Sequence, residues 1–383
     1  MEPLLVSLFA IFGGVVAIPP VARRLGMPVI VAELLFGILI GASFFDIIPR
    51  EAPTLEFFSA FGLVYLMFLA GIETNFVAIF REGALGKALA VSVVSLFLPF
   101  VTGIGISRMM DVHPLLLGTI LCTTSIGLVL PLLKEIDASK GFSQILMGSV
   151  TIVDISSIFL LAFVLALIEG NLGAEFAYGL LFMLTLLLIP FVVCRKNICI
   201  NIERRIAREA HFDFEIRLAF ALIFLLASLS NYLGFHAIVG AYIAGVIASE
   251  VLAKDPVEEK LQSFGYGFFI PLFFILAGSR VNLFKLFASA HDVWVLLVFI
   301  SAALISKAAG VSIVAGFLGL DRRESMALGF LHCARLSLII AAAELSLKLD
   351  LIDEGVFASL VVLAVVSGLV SPALGKYSLG RTR

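Results

Sequence analysis

The residue whose type and position could do chemistry is Asp154. It lies in Met147-Gly-Ser-Val-Thr-Ile-Val-Asp-Ile-Ser-Ser-Ile-Phe159, near the middle of an apolar run over about residues 141–168, long enough to cross a bilayer. A carboxylate at that depth costs roughly 2.5–3.5 kcal/mol on insertion scales and persists where it faces a protein interior or a water-filled cavity. A negative charge so placed holds either a proton or a small cation, and Ser157, one turn on, is a candidate second ligand. The competing reading is a charge neutralised by a fixed partner for packing alone.

Three other ionisable groups sit at depth: Lys307, Arg335 and, nearer one end of its span, Glu33. Lys307 is a natural partner for Asp154, since each favours the other's charged form and so tunes when the carboxylate takes a proton. Whether it tunes or only balances charge is left open by the sequence. Arg335 reads as a structural counter-charge for carbonyl-rich helix ends. Glu33 and Glu73 read as helix ends or partners of loop cations, and Glu344 as the solvated outer end of its span, with a residue of the mouth as the alternative. Polar interruptions occur inside two otherwise apolar crossings, at Cys122-Thr-Thr-Ser-Ile-Gly127 and at His332-Cys-Ala-Arg-Leu-Ser337. Gly and hydroxyl residues in mid-membrane allow an unwound segment whose carbonyls and half-helix ends face an ion. Thr123, Thr124 and Ser125 are therefore candidate ion ligands beside Asp154, with Thr124 and Ser125 as Na+ ligands. Their alternative is ordinary bonding back to a helix carbonyl.

The elements that must position these groups are transmembrane helices. The chain has 383 residues, 61% hydrophobic and 14% charged, with a mean hydropathy of +1.14; a soluble domain carries about 25% charged residues. Net charge is −2, and no basic patch interleaved with aromatics points to nucleic acid. Met1-Glu2-Pro3 lacks the positive start of a cleaved signal, so the first apolar segment is expected to be retained. Cys122, Cys194, Cys199 and Cys333 form neither a disulfide framework nor a Cys-x-x-Cys metal motif. No His-Glu-x-x-His, nucleophile elbow or phosphate loop is present, so an enzyme is not expected, nor is a cofactor beyond the ions carried.

Apolar windows give about thirteen spans, at 3–22, 28–44, 54–72, 84–107, 113–133, 141–168, 174–194, 213–232, 235–252, 262–279, 291–317, 323–346 and 353–376. One set of loops holds most of the Lys and Arg, among them Arg23, Arg24, Arg81, Lys87, Lys196, Arg204, Lys254, Arg322, Arg323 and Lys376; the other holds Arg50, Arg108, Arg280, Lys285 and Lys348. The first set is assigned to the cytoplasm, placing the N-terminus outside and the C-terminus inside a multi-pass protein of the cell (inner or plasma) membrane. The loop 195–212 reads as a cytoplasmic amphipathic connector.

The chain repeats itself upside down. Leu25-Gly-Met-Pro-Val-Ile-Val-Ala-Glu-Leu-Leu-Phe-Gly37 lies without gaps on Leu233-Gly-Phe-His-Ala-Ile-Val-Gly-Ala-Tyr-Ile-Ala-Gly245, and Leu69-Ala-Gly-Ile-Glu-Thr-Asn75 on Leu276-Ala-Gly-Ser-Arg-Val-Asn282, at offsets of 208 and 207 residues. The matched helices are an odd number of spans apart and so opposite in orientation, which places a substrate site at broken helices in the repeat interface. The same offset carries Ser125 onto Cys333. The chain is thus one membrane unit over 1–383, with a first inverted repeat at about 1–170, a linker helix and loop at about 171–212, and a second repeat at about 213–378.

Taken together, Ala32-Glu-Leu-Leu-Phe-Gly-Ile-Leu-Ile-Gly41, Met67-Phe-Leu-Ala-Gly-Ile-Glu73, Thr123-Thr-Ser-Ile-Gly127, the Asp154 segment, Gly240-Ala-Tyr-Ile-Ala-Gly245, Pro271-Leu-Phe-Phe-Ile-Leu-Ala-Gly278 and Lys307 resemble the monovalent cation/proton antiporter superfamily, in its bacterial and archaeal second branch. The resemblance implies an all-α sodium/proton antiporter fold with two crossed discontinuous helices, the fifth and twelfth spans. It also implies a homodimer with a mobile core half (about 84–170 and 291–378) and a dimerisation or scaffold half (about 1–80 and 174–280), working by an elevator-like step. In relatives the ion-binding aspartate is the second of an acidic or amide pair; here Val153 takes the first place, so Lys307 is either unpaired, bonded to helix carbonyls, or paired with Asp154. Where many relatives read Arg-Gly-Glu, this chain reads Cys333-Ala-Arg335. The expected activity is exchange of Na+, with Li+ accepted, for H+. With Asp154 as the one group that cycles, exchange is one for one and electroneutral; were Lys307 also to release its proton, two protons would move per cation and exchange would be electrogenic. A K+/H+ antiporter, a cation channel and a proton-coupled organic-acid symporter are the alternatives.

Overall fold

The structure, a computed structural model, describes residues 2–49, 52–74, 85–135, 138–171, 173–194, 214–251 and 255–380. The connector at 195–212, Cys199, Asn75, Arg50, Arg81 and Lys254 lie outside the described residues. Within them all regular structure is helical. Among the described residues, ten helical stretches are long and apolar enough to cross a membrane, and three shorter apolar helices, Val29–Ile40, Phe176–Leu186 and Ala237–Ser249, fall where the second, seventh and ninth spans are expected.

The chain divides into two compact units. The first comprises Met1–Glu56, Val77–Leu161 and Phe274–Arg383. Its helices are α1 (Glu2–Leu25), α2 (Val29–Ile40), the start of α3 (Pro53–Ile72), α4 (Leu85–Ile106), α5 (Pro114–Cys122), α6 (Ile126–Glu135) and most of α7 (Lys140–Ile168). The second comprises Phe57–Phe76 and Ala162–Phe273, with the rest of α3 and α7, α8 (Ala174–Cys194), α9 (Phe214–Tyr232), α10 (Ala237–Val251), α11 (Asp255–Phe264) and the start of α12 (Ile270–Ser279). The first unit then resumes with the rest of α12, the short α13 (Leu283–Leu286), α14 (Ala290–Phe317), α15 (Arg322–His332), α16 (Ser337–Lys348) and α17 (Glu354–Leu379).

Local chemistry sets several ends. Pro114 opens α5, where its missing N–H costs nothing and its fixed φ suits a first turn. Asp321 caps α15 by accepting from Glu324 N at 2.7 Å, and Asp353 caps α17 by accepting from Val356 N at 2.7 Å. In the first unit, Val91, Leu146, Val150, Val311, Leu328, Leu331 and Ala334 form one buried cluster drawn from α4, α7, α14, α15 and the segment after it. In the second, Phe61, Tyr65, Phe220, Phe264 and Phe269 pack ring against ring, and the Tyr65 hydroxyl donates to Leu261 O at 3.0 Å.

Glycines matched in the two sequence alignments are used in the same way. In the first unit Gly37 of α2 and Gly278 of α12 lie against each other's helices: a β-carbon at Gly37 would collide with the Ile275 carbonyl, and one at Gly278 with that of Leu34. In the second unit the matched residues do the same. A β-carbon at Gly245 of α10 would meet the Phe68 carbonyl, and one at Gly71 of α3 that of Tyr242. Gly37 corresponds to Gly245, and Gly71 to Gly278, in the two sequence matches. Each contact therefore joins one helix of the first repeat to one of the second, and small residues permit the close backbone approach.

Candidate functional site

The two polar interruptions are breaks in helices. Residues 123–125 leave helical geometry between α5 and α6, and residues 333–336 between α15 and α16. The breaks cross and bond to one another. Ser125 N donates to Ala334 O at 2.8 Å, Thr124 Oγ1 donates to His332 O at 3.1 Å, and the Ser125 and Ser337 hydroxyls lie 3.1 Å apart. Backbone groups that an unbroken helix would have satisfied thus find partners inside the protein, as unwound backbone in a membrane must.

The break at the end of α5 leaves carbonyls at the negative end of a half-helix. Two cations take them. Lys307, wholly buried on α14, points its Nζ at Cys122 O (2.6 Å), Thr123 O (2.8 Å) and Thr124 Oγ1 (2.6 Å). An ammonium has three N–H donors, and all three are spent here. Arg335, also wholly buried, gives Nε to Thr123 O at 3.2 Å and Nη2 to Ala303 O at 3.1 Å, and its own carbonyl accepts from the Ser367 hydroxyl at 3.0 Å. Of the three arrangements open for Lys307, the structure shows bonding to helix carbonyls. Hydrogen bonds to a charged group contribute about 1.5–3 kcal/mol each, so this cluster pins α14 to the first break.

Asp154 lies on α7 and is 5% exposed. Val153 before it is fully buried. The hydroxyls named as ligand candidates are largely committed. Thr123 Oγ1 donates to Ile120 O at 2.9 Å, back onto the last turn of α5, and Ser157 Oγ to Val153 O at 2.6 Å, a back-bond within α7. Thr124 Oγ1 donates to His332 O and accepts from Lys307, which sets a fixed positive charge beside that oxygen. The structure brings Asp154, Lys307, Arg335, Thr124 and Ser125 into the same buried region of the first unit.

Two sequence readings change. Glu344 is not a solvated end: it is 1% exposed, paired with Arg280 and 3.7 Å from Lys348 one turn on. The reason is that α16 begins at a buried break and remains in the interior through Ser346. Glu33 does not end a helix but lies inside α2, 3% exposed. Glu73 does lie just past the end of α3, where it accepts from the Tyr266 hydroxyl at 3.3 Å. Two residues that the sequence did not single out join the site. His332 closes α15 with its ring 3.0 Å from the Ser149 hydroxyl, and Ser149 precedes Asp154 on α7. The motif that exposes the second break contains His332, but nothing in the sequence says where its ring goes.

A buried carboxylate beside two crossed helix breaks, in an all-helical chain of inverted repeats, defines a class of membrane transporter. The chain belongs to the sodium/hydrogen exchanger family: the family described as "Sodium/hydrogen exchanger, transmembrane" matches residues 7–376. It is 29% identical to "Probable Na(+)/H(+) antiporter 3" of Methanocaldococcus jannaschii over 98% of this chain and 97% of that protein. It is 26% identical to "Na(+)/H(+)-K(+) antiporter GerN" of Bacillus cereus over 93% of this chain and 91% of that one. Its fold matches the solved structure of the sodium proton antiporter MjNhaP1 from Methanocaldococcus jannaschii with a TM-score of 0.64, at 17% identity, over 100% of this chain and 99% of that one.

Proposed function

We propose that this protein exchanges Na+, with Li+ also accepted, for H+ across the cell membrane, with Asp154 taking the cation or the proton in competition. The observation that carries the reading is the division of labour among the buried charges. Lys307 and Arg335 are committed to the carbonyls of the break, which leaves Asp154 as the carboxylate that cycles. Releasing the Lys307 proton would remove a donor from one of its three acceptors, and an unmet buried acceptor costs about 1–3 kcal/mol. Lys307 therefore keeps its charge through the cycle, and the carrier holds one proton in one direction and one monovalent cation in the other. The exchange is one for one and electroneutral.

Because the Thr124 oxygen stands against the Lys307 ammonium, the cation is expected to rest on Asp154 with help from Ser125 more than from Thr124. Alternating access proceeds by an elevator-type step of a core half carrying both breaks against a scaffold half, in a homodimer with its N-terminus outside and its C-terminus in the cytoplasm. Exchange of K+ is the second reading, supported by the potassium in the name of the Bacillus cereus relative.

The test is reconstitution into vesicles holding a pH-sensitive dye. Na+ and Li+ are expected to drive proton efflux in the unmodified protein, and Asp154→Asn to abolish it. An imposed membrane potential is expected to leave the rate unchanged; a rate that follows the potential would overturn electroneutrality. A response to K+ alone would decide for the second reading.

A further inference from the structure

We propose that His332 is a positioning residue for the Asp154 site: through its ring bond to Ser149 it holds the helix that carries the carboxylate in register with both helix breaks. The proposal rests on the reading of Asp154 as the carrier. His332 is wholly buried. Its Nδ1 lies 2.9 Å from Leu328 O; a carbonyl only accepts, so Nδ1 carries a hydrogen. In the neutral ring Nε2 is then an acceptor, and it faces Ser149 Oγ at 3.0 Å. Ser149 has one hydroxyl hydrogen and two further claimants for it on its own helix, Ile145 O at 2.7 Å and Leu146 O at 3.1 Å. Donation to the ring takes that hydrogen away from α7 and turns a back-bond within one helix into a tie between two.

The same residue also holds the other side. The His332 carbonyl accepts from Thr124, and Thr124 accepts from Lys307. A continuous chain of hydrogen bonds therefore runs from Lys307 through Thr124 and His332 to Ser149. The Ser149 carbonyl in turn accepts from Ser92 of α4 at 3.1 Å. Ser149 is five residues before Asp154, about 7.5 Å along a helix axis, so a change in where Ser149 sits is passed to the carboxylate by a rigid helix.

Side chains that imitate one ring nitrogen at a time separate this role from simple packing. Gln reaches the Nε2 position with an oxygen that accepts from Ser149; Asn reaches only the Nδ1 position. His332→Asn, His332→Gln, Ser149→Ala and the double change His332→Asn with Ser149→Ala are to be reconstituted, with apparent KM for Na+ and maximal rate read separately. His332→Asn and Ser149→Ala are each expected to raise KM by about three- to tenfold, the range of one hydrogen bond, with the maximal rate little changed. His332→Gln is expected to restore KM, and the double variant to be no worse than either single one. Unchanged KM in the single variants, a Gln variant as impaired as Asn, or effects that multiply would overturn the proposal. Thermal unfolding of the unmodified protein, His332→Asn, Ser149→Ala and the double variant decides the link itself: non-additive losses support it and additive ones sink it. If the unmodified protein moves no protons with Na+, Li+ or K+, the carrier reading of Asp154 fails, and the unfolding cycle still decides whether His332 ties α7.

Discussion

At the scale of single residues, the membrane interior assigns different work to groups of like charge. Lys307 and Arg335 are cations in oil that share the carbonyls of Cys122 and Thr123, left open because α5 stops at Cys122. Removing Lys307 would take its donor from Cys122 O and leave Thr123 O with Arg335 alone. Lys307→Met is therefore expected to lower stability by about 1–3 kcal/mol, the cost of a buried acceptor left unmet, read as thermal unfolding in detergent. A variant as stable as the unmodified protein would show that the ammonium is not structural. Asp154 was legible in the sequence because a charge amid apolar residues stands out. The partners of Lys307 were not, because carbonyl oxygens belong to every residue and no letter of the sequence marks which are left without a helix bond. The fate of Glu344 was hidden for a related reason: its partner, Arg280, lies 64 positions away.

At the scale of helices, the breaks and the repeat could be read in advance and the contacts between them could not. Clusters of Thr, Ser and Cys inside apolar runs mark where a crossing helix lets go of its ladder, and both clusters named from sequence are the segments that leave helical geometry. The glycine matches were visible as letters, but their meaning needed the packing: Gly37 and Gly245 each admit a carbonyl of a neighbouring helix, from Ile275 and Phe68 respectively. Because the two positions are equivalent in the repeats, Gly37→Ala and Gly245→Ala are expected to cost similar amounts, about 1–3 kcal/mol for an overpacked contact, with thermal unfolding as the measurement. A large loss at one and none at the other would mean that the two contacts are not counterparts. The shortness of α2 and α10 relative to a full crossing is a feature that hydropathy alone blurs, since the loops beside them are apolar too.

At the scale of the whole chain, the predicted orientation rests on where Lys and Arg fall in the loops. It is checked in intact cells, in a background without native cysteines. Lys285→Cys, at an exposed position, is expected to react with an impermeant maleimide added outside, and Arg322→Cys, also exposed, only after permeabilisation. The reverse pattern would overturn the assigned orientation.

The reciprocal glycine seats have a bearing on how the protein is made. α2 and α3 are synthesised long before α10 and α12, whose backbones they receive. At about 5–20 residues per second, a ribosome needs roughly 10–50 s to travel from the end of α2 to the end of α12. For that interval the early helices wait in the bilayer with their closest neighbours still unborn, and a chain cut off after its first half would never meet them.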